Sequence, residues 1–544
     1  MPMGRRAKAP YVQMNLGDSF LNLSQRGQET IRKSRLGHFG DQVFDKIPYQ
    51  DFAVIYSDNG RGPSNLLYLV AAYMIIVQED LTADEFFLRL DSDVSIQYAM
   101  HTTSCVKQPV SRRNYFYFLA RVEVYEKETG INLLKQSFKK ITESNKKIMG
   151  LGKPGTEGRI KKRMDSMMVS TSAARLPRTG IIYQVNQDAV RLYVSLQGDE
   201  IPESLRHYLD DSDRNAVIYH NKDNKTDKLT ALLKESLLIR DLMADDEWHE
   251  FDQYKNLIRC IGDQCTIDEN GNPVPTADKE IKGTSLQSPR EPDATARTKN
   301  HRTYVGESAN FCECYNEDGA SQITEADFQS NCHSDSDYFK EYVDSQPEAD
   351  SENAEQQCIT DGAYASVENL EEAASKGILL IPTSLTGKDT NPLYADFKLS
   401  EDGKEVISCP NGCQPERQKY SERYLRTDAW FSNECCDKCP FRANCPGKRQ
   451  KKTTKVTISK KIVIRSELQS SMTAEDYARY GRERNAVESI PSIFRRKYGI
   501  DRMRTFRPCR RRSRFFLICL AYNEQKFQKF LREHQKGVLC PSGV

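Results

Sequence analysis

At 544 residues the chain is long enough for several domains with cores of their own. Its formal charge of +2 hides an asymmetry: residues 441–544 carry 26 Lys/Arg against 8 Asp/Glu (+18), residues 241–440 carry 18 against 41 (−23), and residues 1–240 carry 35 against 28 (+7). No apolar run reaches membrane-spanning length, which argues against a membrane protein, and so basic a tail points to a nucleic acid or to the chain's own acidic middle.

Residues 1–60 carry few local signals. No apolar run follows Arg5, Arg6 and Lys8, so no signal peptide is expected and the cytosol is the expected compartment. From "GRGPSNLLYLVAAYMIIVQEDLTADEFFLRL" onward the pattern is helical. Ser64 or Asn65 is placed to cap the first helix, and Thr82 or Asp84 the second. "LLYLVAAYMIIV", 66–77, suits a core helix, and "SRRNYFYFLARVEVYEKETG" mixes bases with aromatics. Residues 60–145 read as one helical unit, closed by a Gly-rich linker at 150–158.

"RIKKRMDSMMVS", 159–170, reads as a short strand, and residues 171–260 as helices again. A hairpin is expected over 302–328, around a Gly-containing turn. Residues 342–356 include an acidic connecting loop. "QQCITDGAYASVENLEEAASKGILLIP" is a β-α-β unit whose helix Ser366 caps and Gly377 ends. "YADFKLSEDGKEVIS" is a hairpin with an Asp-Gly turn, "KVTISKKIVI" at 455–464 a basic strand, and the chain closes in helices over 474–499 and within "RFFLICLAYNEQKFQKFLREH".

Sixteen cysteines in a cytosolic chain are not expected to form a disulfide framework. Ten are scattered, as small core residues or inert thiols. Six fall within 409–445, where "CDKCPFRANC" offers a Cys-x2-Cys pair and a third cysteine beyond it. Tetrahedral zinc takes four such ligands, and the preferred set is Cys409, Cys436, Cys439 and Cys445, with Cys413 as substitute for Cys409 and His333 as a lesser candidate. The alternative is a group of free thiols. Trp430 and Phe431 beside the cluster suit either a base-stacking role or a small core.

Three acids stand in contexts that suit a two-metal phosphoryl-transfer site, where carboxylates from distant segments converge. Asp165 lies in the strand of "KKRMDSMMVS"; its bland alternative is a surface Asp. Asp361, in "CITDGAYAS", ends an apolar strand before a β-α turn, where open sheets place ligand-binding groups; its alternative is a plain turn residue. Glu488 sits in "RERNAVESIPSIFRRKYG", and its alternative is an i,i+4 ion pair with Arg484, worth a few tenths of a kcal/mol. Pro491 kinks a helix there or starts a new one.

"RMDSMM", "ITDGAYAS" and the order of the three motifs resemble the bacterial insertion-sequence transposases of the DDE type. Their C-terminal signature runs Tyr, two residues, Arg, three residues, Glu, six residues, Lys; here Arg484, Glu488 and Arg495 stand at those spacings, Gly481 occupies the Tyr position beside Tyr480, and Arg495 replaces the Lys. "SPREPDATARTKNHRTYVGESANF", "NCHSDSDYF" and "CPFRANCPGK" extend the likeness over about 45 to 530. Asp293, His333 and Asp335 in those segments have no strand-end context and read as core-supporting or DNA-contacting.

The resemblance implies an α/β fold: a ribonuclease-H-like mixed sheet core with a helical N-terminal domain, a helical insertion and a cysteine-rich β insertion. The expected division is 1–150 for an N-terminal helical DNA-binding domain, 159–170 for the first core strand and 171–265 for the helical insertion. The catalytic core follows at 266–392, a zinc-bearing insertion at 393–465, and core helices with the catalytic Glu at 466–544. It further implies binding to terminal inverted repeats, metal-dependent end cleavage and strand transfer. Asp165, Asp361 and Glu488 would hold Mg²⁺ or Mn²⁺, the cysteines a structural Zn²⁺, and Arg484, Arg495, Arg511 and Arg512 would contact DNA. The partners would be transposon ends and target DNA, no membrane, and a second copy in a DNA-bound homodimer, in the cytoplasm on DNA. Two other readings are a catalytically inactive zinc-bearing DNA-binding protein and a nuclease without strand transfer.

Overall fold

The computed structural model describes residues 17–56, 65–171, 176–212, 214–219, 225–299, 301–348, 355–383, 390–470 and 472–536. Ser64 and part of the acidic loop, 349–354, lie outside them.

The centre of the fold is a mixed sheet built from β1 (Ile160–Ser170), β2 (Arg302–Tyr315), β3 (Ser321–Ser330), β4 (Gln356–Thr360) and β5 (Ile378–Pro382), in the order β3-β2-β1-β4-β5. β2 runs antiparallel to β1 and β3, while β1, β4 and β5 run parallel. A short strand, Thr295–Lys299, pairs with the start of β2. The expected hairpin and β-α-β unit are both present, and the helix of the latter is N-capped by Ser366.

Strand alternation sorts β1 onto two faces. Met164 packs beneath α4 (Asp335–Asp344) and α5 (Val367–Ser375), with Tyr338, Phe339 and Ala373. Met167 and Val169 face the opposite way, into the largest core. Facing them are α7 (Ser489–Tyr498), through Ile490 and Phe494, and α8 (Pro508–Lys536), through Phe515 and Phe516.

The same core takes in the N-terminal helices, including α1 (Leu66–Gln78), α2 (Arg112–Thr129) and α3 (Leu133–Ile148). All but one residue of α1 are buried, as expected of a helix apolar on every side. No single helix among the described residues is long and apolar enough to cross a membrane. Asn65 stands at the N-cap of α1 but spends its side chain on the Pro109 carbonyl (2.8 Å). Thr82 caps the next helix in a reciprocal box with Glu85.

Helices Arg178–Gln197, Lys225–Leu242 and Asp252–Gln264 follow β1 and share a core of their own. The cysteine-rich segment holds a separate four-stranded antiparallel sheet of β6 (Arg417–Ser421), β7 (Arg426–Ser432), β8 (Lys448–Arg449) and β9 (Thr453–Ile458), in the order β6-β7-β9-β8. The expected strand over 455–464 is corrected: β9 ends at Ile458, and Lys460–Ser470 is helical. The expected helix over 474–499 is two helices, α6 (Ala474–Asn485) and α7, and Glu488 lies at the break. Pro491 falls in the first turn of α7, where a missing N–H leaves no helical bond unmade.

Candidate active site

β1 and β4 are paired from Ile160↔Gln356 to Arg163↔Ile359. Continuing that register sets Asp361 level with Asp165. Period-two alternation then aims both side chains at one face, since Asp165 shares its side with Met167 and Asp361 with Ile359. Ile359 packs against Tyr480 of α6, so this is the face that α6 covers.

The break between α6 and α7 brings Glu488 to the same place. Arg484 donates from Nη1 to Glu488 Oε1 (2.8 Å), and its Nη2 lies 3.7 Å from Asp165 Oδ1. The ion pair expected from spacing therefore exists, and its arginine also reaches the strand carboxylate. Burial pushes the Asp165 carboxyl up to about 6, against the pull of Arg484 and the Ser166 N–H, and the charges of Asp361 and Glu488 add to the rise. Glu488 itself is half exposed. Asp361 Oδ1 accepts the Ala363 N–H (2.8 Å), which fixes the turn after β4.

Sequence reasoning missed the residue that docks α6. Arg163, two places before Asp165 on the same face, donates to buried Glu313 from Nε (2.7 Å) and to the Glu483 carbonyl from Nη1 (2.9 Å). Tyr315 donates to the Glu483 carboxylate (2.5 Å). A basic residue flanking a strand Asp was the available signal, and it did not name a partner. Arg495 fastens α7 to the end of β1, donating to Met168 O (3.0 Å) and Asp501 (2.9 Å), and stays partly exposed. Asp335 lies at the start of α4, on the other face, and accepts from Ser166 Oγ (2.6 Å). His333 lies against Glu341 and the edge of Tyr338, and Asp293 pairs with Arg512.

Cys409, Cys436, Cys439 and Cys445 are half-buried free thiols. Burial raises the Cys445 thiol, the Gly447 N–H lowers it, and the other three thiols all act on it. Cys413, the substitute for Cys409, has its sulfur beside that of Cys435. Among the described residues, no three His, Cys, Asp or Glu side chains are already gathered into a coordination shell.

One expected DNA contact is corrected. Arg511 is fully buried: it grips Glu307 with Nε and Nη2 (2.8 and 2.7 Å) and reaches Glu291 (3.2 Å). Arg512 holds Glu126 (2.8 Å) and Asp293 (3.0 Å). Arg507 and Arg510 share Glu123, and Arg514 pairs with Asp80. Much of the basic tail is thus neutralised by the acidic middle and the N-terminal helices.

Residues 408–528 match the family model described as Transposase DDE domain. No curated protein and no solved structure matches the chain. Residues 408–528 are thus similar to a DDE-type transposase domain, and that points to DNA as partner and DNA cleavage as chemistry. The matched stretch includes the four thiols, Arg484 and Glu488; Asp165 and Asp361 lie upstream of it.

Proposed function

We propose that this protein is a metal-dependent DNA transposase that binds the terminal inverted repeats of a mobile element, cleaves its ends and joins them to target DNA. The observation that carries this is the register of β1 and β4, which levels Asp165 with Asp361 under the helix break that delivers Glu488. A mixed sheet with one antiparallel strand among parallel ones, and α4 and α5 on one face, supports a ribonuclease-H-like core.

The donor set fits divalent metal. Three carboxylates are hard oxygen ligands, and a cation would offset both the burial that raises Asp165 and the smaller repulsion from Asp361 and Glu488. Bound Mg²⁺ or Mn²⁺ would activate the attacking oxygen and stabilise the leaving one. Arg484 orients Glu488, Arg163 holds α6 on the strand, and Arg495 holds α7 while keeping an exposed edge for phosphate. In the first step water adds to phosphorus and the 3′-oxygen leaves with a proton, exposing a 3′-hydroxyl. In the second, that hydroxyl bonds to a target phosphorus as the target's own 3′-oxygen leaves, so one phosphodiester replaces another.

The test uses a duplex carrying the inverted repeats that flank the gene. Mg²⁺-dependent nicking at the repeat end, followed by joined product with target DNA, is the expected outcome. Nicking without joining means a nuclease, and binding without nicking means an inactive DNA-binding protein.

The four thiols of the insertion suit zinc as soft ligands, and three of them raise the fourth, Cys445. Elemental analysis of purified protein is expected to find about one zinc per chain. Folded protein without stoichiometric zinc refutes the assignment.

A further inference from the structure

The β6-β7-β9-β8 sheet buries one face only. Thr427, Ala429, Phe431, Val456 and Ile458 turn inward. The other face carries Arg417, Lys419, Arg426, Trp430, Lys448 and Lys455. Register sets Lys448, Lys455, Trp430 and Arg417 in one row across the four strands, spanning about 14 Å at ordinary strand spacing. The Arg417 guanidinium lies 4.1 Å from the centre of the Trp430 ring, and the Lys455 ammonium 5.3 Å from it.

That stacking has a consequence for what the cations can do. A guanidinium laid on an aromatic ring uses its face and leaves its N–H edge free to donate. Arg417, Lys419 and Lys448 are exposed and make no ion pair among the described residues. The one acid on this face, Asp428, is already engaged by Lys455 (2.8 Å) and Thr457 (2.6 Å). The contrast with α8 decides the matter: there the arginines are spent on internal carboxylates, and here Arg417, Lys419 and Lys448 pair with no acid among the described residues.

We propose that this open sheet face docks the sugar–phosphate backbone of duplex DNA, with Arg417, Lys419 and Lys448 on phosphates and Trp430 as the shelf that aligns Arg417 and Lys455. This rests on the DNA-transposase reading. Charge complementarity names the partner, since four outward cations remain once Lys455 has neutralised Asp428.

The experiment compares full-length wild type with Arg417→Gln/Lys419→Gln/Lys448→Gln on a random-sequence duplex across a salt series. The salt slope of binding is expected to flatten by about 2 to 3, and affinity at low salt to fall about tenfold or more. A charge-matched control, Lys33→Gln/Arg206→Gln/Lys529→Gln, removes three cations from other elements and is expected to change the slope little. Lys419→Gln alone, at an exposed side chain, keeps the test sound should the triple variant fold poorly; its slope change is about 0.9. Wild-type slope in the triple or in Lys419→Gln, or an equal loss in the control, overturns the proposal. A wild-type protein that binds no duplex at any salt instead fails the transposase reading itself.

Discussion

Glu488→Gln protein is expected to bind an end-bearing duplex at least as tightly as wild type and to nick it several orders of magnitude more slowly in Mg²⁺. Gln keeps the shape and the hydrogen bond to Arg484 but loses the charge that holds a hard divalent cation. Removing an acid also lessens repulsion of DNA phosphates. Asp165→Asn and Asp361→Asn should match it, and double variants should be hardly worse than singles, because the three act as one unit. Glu483→Gln is the contrast. Its carboxylate accepts from Tyr315, so its loss loosens α6 and should cost far less activity. If Glu488, itself half exposed, were only an i,i+4 partner of Arg484, worth a few tenths of a kcal/mol, the two substitutions would be equally mild. Nicking measured beside binding separates the cases, and near-normal cleavage by Glu488→Gln refutes the site.

Arg511→Ala is expected to lower stability by about 3–5 kcal/mol, measured by urea unfolding. The loss does not come from missing attraction alone. Glu307 is 3 % exposed, and without the guanidinium its charge stays buried and loses the partner that grips it twice. Burial already raises the Glu307 carboxyl, opposed first by Arg511. In the variant that opposition is gone, so Glu307 rises further and the folded state binds more protons than the unfolded one above the ordinary Glu range. Stability of the variant then falls as pH rises through that window, and its deficit against wild type shrinks toward mildly acidic pH. A deficit under 1 kcal/mol that is flat with pH would show that Arg511 is not the counter-charge of this cluster.

Local pattern alone determined several parts of this protein. Period-two alternation and Gly turns made β1, the β2–β3 hairpin and the β4–α5–β5 unit legible, because such elements are specified by neighbours a few residues apart. Pro491 marked the helix break, and Cys-x2-Cys spacing marked the thiol group. Motif order likewise brought Asp165, Asp361 and Glu488 forward as candidates before any contact was known.

Tertiary structure decided the rest. Periodicity says which face of α8 is buried, not that the N-terminal helices and the central sheet bury it together. Lys460–Ser470 continues β9's basic, β-branched texture yet turns helical and packs on the Pro392–Asp396 turn, with Ser466 Oγ donating to the Asn391 and Pro392 carbonyls. Composition counts charges without pairing them: Arg511 of the basic tail is hidden against Glu307, while Arg417 of the acidic middle is left stacked and open on Trp430. Arg163 gains its role only because β1, β2 and α6 meet around it. Ion pairing and burial depend on residues 150 to 320 positions away, as Arg163–Glu313 and Arg163–Glu483 show, and no local pattern encodes a partner at that distance.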